Sequence, residues 1–312
     1  MSASSVHDRT DRHATDAEWE KWGARDPYFG VLTHDRFRAT ALTAADYDHF
    51  FDSGRQHVQA VLATCRRHFG EAFAPASVLD FGCGVGRILI PFAETGAAVV
   101  GTDVSDSMLA EARRNCARFG IRNAELVKSD DALSAVPGPY DLVHSTIVLQ
   151  HIESERGLDI LNRLVSLVAP GGVAAIQVTY GRSYGECRYG RPVPLPPEPV
   201  PPPMTLYRRM RAVARALLRP APRPVPAIEP AAESVPSDPV MMMYHYDLSR
   251  IAFIFHAAGA TGFHAEFTDH GGELGAMLYA QMGIAPPSSS AHAAEPAAVI
   301  QGARNHPDTV RA

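Results

Sequence analysis

A glycine-rich turn between a strand-like and a helix-like segment constrains the fold of this 312-residue chain more than any other stretch. Residues 78–81 are mostly apolar and favour a strand, and residues 88–90 begin an apolar pattern that suits a helix. Between them lie Gly82, Gly84 and Gly86. Glycine lets the backbone turn tightly and approach a ligand, and the helix start behind the turn offers N–H groups to an anion. This strand–turn–helix unit therefore predicts a nucleotide-cofactor site.

Further strand-like and helix-like segments alternate along the chain. The remaining predicted strands cover residues 99–103, 125–128, 140–145, 173–178, 262–268 and 274–282. Ser105 can cap a helix over 106–119, and an amphipathic helix over about 156–169 precedes a Pro-Gly-Gly turn at 170–172. Such alternation predicts an α/β domain with a mostly parallel sheet.

The acidic-x-G-x-G-x-G spacing from Asp80 to Gly86 resembles motif I of class I S-adenosylmethionine (SAM)-dependent methyltransferases. The order of the later segments extends the resemblance over about residues 76–282. It implies a doubly wound, Rossmann-like α/β fold. The sheet would be mixed and seven-stranded, in the order 3-2-1-4-5-7-6 with the last strand antiparallel and helices on both faces. It also implies methyl transfer from SAM to an oxygen or nitrogen of a small-molecule, sugar or natural-product acceptor.

The same resemblance assigns residues to the cofactor. An acid at the end of the second strand, Asp103, would accept hydrogen bonds from both ribose hydroxyls, although a helix-capping role is the alternative. Asp130, with Asp131 as its neighbouring alternative, would contact the adenine amino group, and Met108 would pack on the adenine. Either carboxylate could instead lie in solvent. The full predicted cofactor-binding set is Asp80, Gly82, Cys83, Gly84, Gly86, Arg87, Asp103, Val104, Met108, Asp130, Asp131, Ser145 and Thr146.

Three histidines are candidates for a catalytic base. His151 follows the fourth predicted strand, at the carboxyl edge where an open α/β sheet binds its ligands. It can take a proton from a hydroxyl or ammonium group, or it can simply hydrogen-bond a loop carbonyl. His245 and His270 are the second and third candidates. No cluster of metal-ligand spacing is visible, and we expect no metal.

The N-terminal part predicts a cover for the domain. Residues 1–16 are polar and expected to be disordered, and residues 17–72 are expected to form a helical strap. Tyr28 or Phe29 could cover the cofactor pocket, or the whole segment could merely pack on the domain. Thr43 can cap a first helix, and a second helix is predicted to begin at Arg55 after a break at 53–54. Arg55 and His57 are expected to face solvent, with the pocket as the alternative.

The main domain is predicted to span residues 73–283, and a proline-rich insertion interrupts it. Within the insertion, residues 185–240, lie 15 of the 25 prolines. A basic amphipathic helix is predicted at 205–219. We expect this helix to serve as a lid over the acceptor, with peripheral contact to an anionic membrane as the alternative. Residues 284–312 are expected to form a disordered tail.

Composition narrows the partners and the compartment. The net charge of −5 gives no broad basic field, so we expect no nucleic-acid partner. The four cysteines show no metal spacing and are expected to be reduced thiols. No signal peptide or membrane span is visible, and a cytoplasmic location is therefore expected. The acceptor and the oligomeric state are open.

Two other classes of function compete with methyl transfer. A SAM-binding scaffold or sensor would keep the same cofactor residues without turnover. Another Rossmann-type nucleotide-binding enzyme, such as a nicotinamide dehydrogenase, would share the glycine turn. The G-x-G-x-G spacing and the Pro-Gly-Gly turn argue against the dehydrogenase.

Overall fold

Helices and strands alternate through the parts of the chain that the computed structural model describes, residues 14–183 and 238–284. The helices are α1 (Ala14–Arg25), α2 (Pro27–Val31), α3 (Ala44–Phe69), α4 (Leu89–Glu94), α5 (Asp106–Arg118), α6 (Ser154–Ser166) and α7 (Leu248–Ala257). The strands are β1 (Ser77–Phe81), β2 (Ala98–Asp103), β3 (Ala124–Lys128), β4 (Tyr140–Ser145), β5 (Val168–Arg182), β6 (Ala260–His270) and β7 (Glu273–Met282). Short 3-10 helices lie at Asp35–Phe37 and Leu149–His151.

The seven described strands form one sheet in the order β3-β2-β1-β4-β5-β7-β6. Strands β1 to β5 run parallel, and β7 is antiparallel to both β5 and β6. The predicted doubly wound, Rossmann-like fold class is confirmed. The central strand β1 is paired so that Asp80 lies in register with Gly101 of β2 and His144 of β4. The carboxyl ends of β1, β2 and β4 therefore meet at one edge of the sheet.

Helices cover both faces of the sheet because successive strand residues point to opposite sides. Val78 belongs to an apolar layer with Phe50 and Val58 of α3, whereas Leu79 belongs to a second layer with Leu161 of α6. Parallel strands buried on both faces read as continuous apolar runs rather than as alternating patterns. This burial explains why the strands were recognisable in the sequence.

Helix α3 runs unbroken through the site of the predicted interruption. Thr43 and Asp46 form a reciprocal cap at its start, where the Asp46 N–H donates to the Thr43 hydroxyl at 3.2 Å. Gly54 is not a helix break. A side chain there would place its Cβ 2.0 Å from the Arg87 carbonyl oxygen, so glycine lets α3 pack closely on the chain that follows the glycine turn. The prediction of two helices was wrong for this packing reason.

Several predictions differ from the described structure or lie outside it. Residues 14–16 form the first turn of α1 rather than part of a disordered N-terminus. The Pro-Gly-Gly turn lies inside β5 as an irregularity, where the pairing with β4 shifts between Tyr140 and Leu142. The predicted basic helix at 205–219, most of the insertion, Cys187 and residues 285–312 lie outside the described ranges. Within those ranges, no helix has the length and apolar character to cross a membrane.

Candidate functional site

A cleft opens at the carboxyl edge of β1, β2 and β4. It holds about 940 Å³ of space between protein atoms, a volume that includes open solvent. Its wall includes twelve of the residues predicted from the sequence: Asp80, Gly82, Cys83, Gly84, Arg87, Asp103, Val104, Met108, Asp130, Asp131, Thr146 and His151.

The glycine turn forms the floor of the cleft in a conformation that other residues adopt poorly. Gly82 and Gly84 have φ angles of +72° and +51°, in the left-handed region. The N–H groups of Gly82 and Cys83 both donate to the Thr102 carbonyl at 2.8 Å, which ties the turn to β2. A Cβ at Gly82 would lie 2.3 Å from the Val148 side chain. The turn therefore requires glycine for both conformation and space.

Asp103 connects the end of β2 to the glycine turn. One carboxylate oxygen accepts the Gly84 N–H and the other accepts the Ser105 N–H, each at 2.9 Å. Burial raises the pKa of Asp103 to about 6, although the two backbone hydrogen bonds oppose the rise. A carboxylate has about four acceptor positions, so each oxygen can accept a further hydroxyl. Asp103 can thus bind a vicinal diol in the cleft.

Two buried charged groups in the cleft have side-chain atoms without partners. Asp80 and Arg87 are 2% and 7% exposed, and neither Oδ2 of Asp80 nor Nε of Arg87 forms a hydrogen bond within the described residues. Burial lowers the pKa of Arg87 to about 10, and the Asp80 carboxylate opposes that shift, so the guanidinium stays charged at neutral pH. Leaving such atoms unpaired is costly unless a ligand binds them. The pair offers an anion and a cation to a zwitterionic group.

The two adjacent acids after β3 have different roles. Asp131 is held by the Arg156 guanidinium at 2.7–3.0 Å, and the same guanidinium binds Asp16 of α1 at 2.8 and 2.9 Å. Asp130 is exposed, and its Oδ1 accepts the Ser134 N–H at 2.8 Å. These hydrogen bonds with Ser134 lower the pKa of Asp130. Asp130 is therefore the acid with more capacity for a ligand.

The N-terminal segment closes one side of the cleft through α1. Trp19 lines the cleft and packs edge-on against His151, with ring centroids 4.9 Å apart. Glu20 anchors the helix at the start of α5, where it accepts the Ser105 hydroxyl at 2.8 Å and the Ser107 hydroxyl at 2.5 Å. A carboxylate is favourable at a helix N-terminus. This anchor holds α1 over the cleft.

Tyr28 and Phe29 do not cover the pocket, contrary to one of the two sequence interpretations. Both side chains are buried in the apolar layer beside α3. The Tyr28 hydroxyl donates to Glu111 at 2.6 Å and lies 3.1 Å from the Asn115 side-chain oxygen, well inside that layer. Of this aromatic-rich part of the chain, Trp19 is the side chain that faces the cleft.

A chain of amides supports the loop after β4. Ile147 has a φ of +59°, which is unusual for a β-branched residue. Its backbone N–H donates to the side-chain amide oxygen of Gln177 at 2.7 Å. Gln177 reaches Gln150 at 3.4 Å, and Gln150 reaches Nε2 of His151 at 3.2 Å. The strained loop is thus fixed from β5. It carries Thr146 to the cleft.

His151 is buried in the cleft wall in a defined tautomer. Its Nδ1 lies 2.8 Å from the Met242 carbonyl oxygen, which cannot donate, so Nδ1 carries the proton. Nε2 then carries a lone pair and lies 3.2 Å from the side-chain amide nitrogen of Gln150. Burial lowers the pKa of His151, whereas the bond to Met242 opposes this. At neutral pH the imidazole is therefore an uncharged acceptor.

The other two candidate bases lie away from the cleft. His245 is placed with its Nε2 3.3 Å from Glu273, at the start of β7. His270 is exposed at the end of β6, the outermost strand of the described sheet, two positions beyond β5. Neither histidine lines the cleft wall, and a catalytic role for either stays a prediction. Gly86 and Ser145 also fall outside the cleft wall. The Ser145 hydroxyl instead donates to the Phe81 carbonyl at 3.1 Å.

Sequence reasoning missed Thr15, Asp16 and Arg156, which line the cleft. Arg156 is 4% exposed although it begins an amphipathic helix, and a charge on an apolar helix face was the available signal. No periodicity connects Asp16 with a guanidinium 140 positions later. Among the described residues, no group of three or more potential metal ligands occurs.

Comparison with known proteins supports the same cofactor class. Residues 78–172 match a family model described as a methyltransferase domain. Trans-aconitate 2-methyltransferase of Methylobacterium nodulans is 38% identical over 107 residues, which is 34% of this chain and 39% of that protein. The tRNA (guanine(10)-N2)-dimethyltransferase of Methanothermobacter thermautotrophicus is 31% identical over 135 residues, 37% of this chain and 40% of that protein. The chain thus matches about two fifths of each relative.

A solved structure shares the fold over most of the chain. It is the 1,6-didemethyltoxoflavin-N1-methyltransferase of Burkholderia thailandensis with bound 1,6-didemethyltoxoflavin and S-adenosylhomocysteine. The likeness has a TM-score of 0.51 at 15% identity and covers 91% of this chain and 93% of that one. At this identity the likeness concerns the fold alone.

Proposed function

With residues 78–172 forming a class I, SAM-dependent methyltransferase domain, we propose that this protein transfers a methyl group from SAM to an oxygen or nitrogen of a small-molecule acceptor. The observation that carries the proposal is a set of charged side-chain atoms around the glycine turn that lack a hydrogen-bond partner or can accept a further hydrogen bond. Asp80, Arg87 and Asp103 present an anion, a cation and a diol acceptor to one cleft.

The residues of the cleft fit the parts of SAM one by one. Oδ2 of Asp80 would accept from the ammonium group, and Nε of Arg87 would donate to the carboxylate of the same amino-acid moiety. Asp103 would accept the ribose hydroxyls. Met108 and Asp130 would serve the adenine, by packing and by hydrogen bonding. The unpaired Asp80 and Arg87 atoms are the specific support for this fit, because a dry core would not keep them.

When bound, SAM supplies a methyl group already activated by a sulfonium. The residues of this chain then have three tasks: to hold the reactants in line, to exclude water and to accept a proton. Trp19 and the Arg156 guanidinium, which is bound to both Asp16 and Asp131, close the side of the cleft. A closed wall strengthens the electrostatic interactions inside it.

We assign to His151 the task of accepting the proton that the methyl acceptor loses. Its Nδ1–H is committed to the Met242 carbonyl, so Nε2 is the atom that can accept. The Gln150 amide, now 3.2 Å from Nε2, would turn away to let an acceptor hydroxyl or ammonium take its place. Because burial lowers the His151 pKa, the base form is present throughout the neutral range.

A small acceptor is supported by the remaining wall of the cleft. Trp19, Ile147, Val148, Ile152 and Ile160 are apolar, which suits a compact molecule with an apolar body. The substrate named for the trans-aconitate enzyme, which is 38% identical over 107 residues, is a small molecule as well. The tRNA enzyme shows that similar domains also act on nucleic acid. That this protein has no nucleic-acid partner therefore stays a prediction.

Transfer of labelled methyl groups tests the proposal. Purified protein is incubated with methyl-labelled SAM and a panel of carboxylic acids, phenols, sugars and amines. We expect stoichiometric or catalytic labelling of at least one acceptor, dependent on His151. SAM binding with no labelling across the panel, and with none in a metabolite extract of the source cells, would instead favour the scaffold or sensor.

A further inference from the structure

A line of three side chains leads from the cleft into the layer beneath the sheet. Oδ1 of Asp80 lies 2.9 Å from Nδ1 of His144, and Nε2 of His144 lies 2.9 Å from Nε2 of His57 on α3. Asp80 and His144 are 2% and 0% exposed. The strand register makes the first contact, because Asp80 of β1 is paired with His144 of β4 and both point to the α3 side.

Each contact in this line needs one donor and one acceptor. Two ring nitrogens at 2.9 Å share a single proton, since two lone pairs or two N–H groups would repel. If His144 donates Nδ1–H to the Asp80 carboxylate, its Nε2 must accept, and His57 must donate Nε2–H. Burial, then the nearby His144 and Arg87, lower the pKa of His57 to about 2, so His57 is neutral. In this arrangement His144 donates through Nδ1 and accepts through Nε2, and His57 is the donor between the two rings.

The same line explains why one oxygen of Asp80 is left without a partner. His144 binds Oδ1 and sets the plane of the carboxylate, while Oδ2 has no partner in the described structure and Asp80 lines the cleft. His144 packs edge-on against Phe92, with ring centroids 5.3 Å apart, and both of its ring nitrogens have polar partners. The fully buried imidazole thus supplies Asp80 with a hydrogen bond that an apolar side chain could not.

We propose that His144 is a positioning residue for Asp80, and that His57 fixes the tautomer in which His144 does so. The ligand concerned is the ammonium group of the cofactor's amino-acid moiety, from which Oδ2 of Asp80 would accept a hydrogen bond. This inference rests on the proposed function. It concerns neither the ribose nor the adenine, which other residues bind.

Two ligands that differ only in this moiety provide the test. S-adenosylhomocysteine carries the amino acid, whereas 5′-methylthioadenosine keeps the adenine, ribose and thioether without it. Calorimetry gives the dissociation constants of both for the full chain and its variants. His144→Leu should weaken S-adenosylhomocysteine ~10–100-fold, because a hydrogen bond to a charged group is lost, and should leave methylthioadenosine nearly unchanged. His144→Asn, which keeps a donor near the Nδ1 position, should restore most of the affinity.

His57 supplies a second pair of variants that do not touch the cleft wall. His57→Leu should weaken S-adenosylhomocysteine selectively but less than His144→Leu, and His57→Gln, with a donor near the Nε2 position, should lie close to wild type. Should His144→Leu fail to fold, the His57 pair carries the same comparison. Equal losses for both ligands, or none, would overturn the inference and leave the proposed function standing. A wild-type chain that binds neither ligand would remove the proposed function first.

Discussion

The carboxylate of Asp103 accepts the backbone N–H of Gly84 at 2.9 Å, so the end of β2 holds the glycine turn of β1 in place. A second bond from the Ser105 N–H, also at 2.9 Å, fixes the other oxygen. The acid is thus set in position before any ligand arrives. Preorganisation of this kind reduces the cost of binding.

Replacing Asp103 by alanine should weaken SAM binding by about 1–3 kcal/mol, because ribose hydroxyls would be buried without an acceptor. Calorimetry on a variant shown to be folded measures this. Asp103→Asn keeps the size and one acceptor oxygen and should lose less. Unchanged SAM affinity in the alanine variant would remove the ribose assignment.

The raised pKa of Asp103 gives a pH dependence with a definite sign. Its carboxyl titrates near pH 6 in the free protein, above its ordinary value of 3.8, so the anion is lost as the pH falls through about 6. SAM affinity should therefore be fully developed near pH 7 and fall below pH 6. The matched Asp103→Asn variant should show no such fall. A wild-type profile that stays flat to pH 5 would contradict the assignment.

The glycine turn should not tolerate side chains. Gly84 has φ +51°, and its Cβ would lie 2.8 Å from the Val31 side chain at the cleft. Gly84→Val should abolish measurable SAM binding. Gly181→Ala is the control, because nothing lies within 4 Å of its Cβ position. The control should bind SAM as wild type does, and a folded Gly84→Val chain with normal affinity would be evidence against the cleft.

Tryptophan fluorescence should report on closure of the cleft. The chain has two tryptophans, and Trp19 lines the cleft whereas Trp22 is 2% exposed in the apolar layer. Adding SAM should change the emission of the wild type. Trp19→Phe should remove most of that change, and Trp22→Phe should retain it. The reverse pattern would show that α1 does not cover the bound ligand.

His151 should behave as a base rather than as a brace. His151→Ala should lower turnover ~10²–10⁴-fold while SAM affinity stays near wild type. Since burial lowers the His151 pKa, the rate with a hydroxyl acceptor should rise with pH at values below 6.5 and be level above pH 7. His151→Gln can hold the Met242 carbonyl but cannot take a proton, and it should be nearly as slow as alanine. Substantial activity in the glutamine variant would reduce His151 to a support for the loop.

Local sequence rules were sufficient for the individual strands and for the glycine turn, whereas the order of the strands was implied by the resemblance to the methyltransferase family. The apolar runs of β1 and β4 and the glycines between β1 and α4 carry their structure in neighbouring residues. The cofactor role of Asp103 was likewise implied by that resemblance, and the residue ends β2, at the edge where parallel sheets bind their ligands.

Long-range partners were beyond those rules. His57 reads as a polar position on a helix, and only the packing of α3 under the sheet brings it to His144. Gly54 reads as a helix break until the Arg87 carbonyl is seen beside it. The Arg156 pairing with Asp16 joins two segments with no common periodicity. Each of these features depends on contacts between distant parts of the chain.

Calorimetric titration of the full chain with SAM, with NAD as the control ligand, tests the central claim most directly. The account predicts one SAM site per chain, in the ~1 μM–1 mM range typical of enzyme substrates, and no heat with NAD. It also predicts loss of the SAM signal in Gly84→Val. Absence of SAM binding at millimolar concentration, or saturable binding of NAD instead, would contradict the assignment of this cleft to SAM.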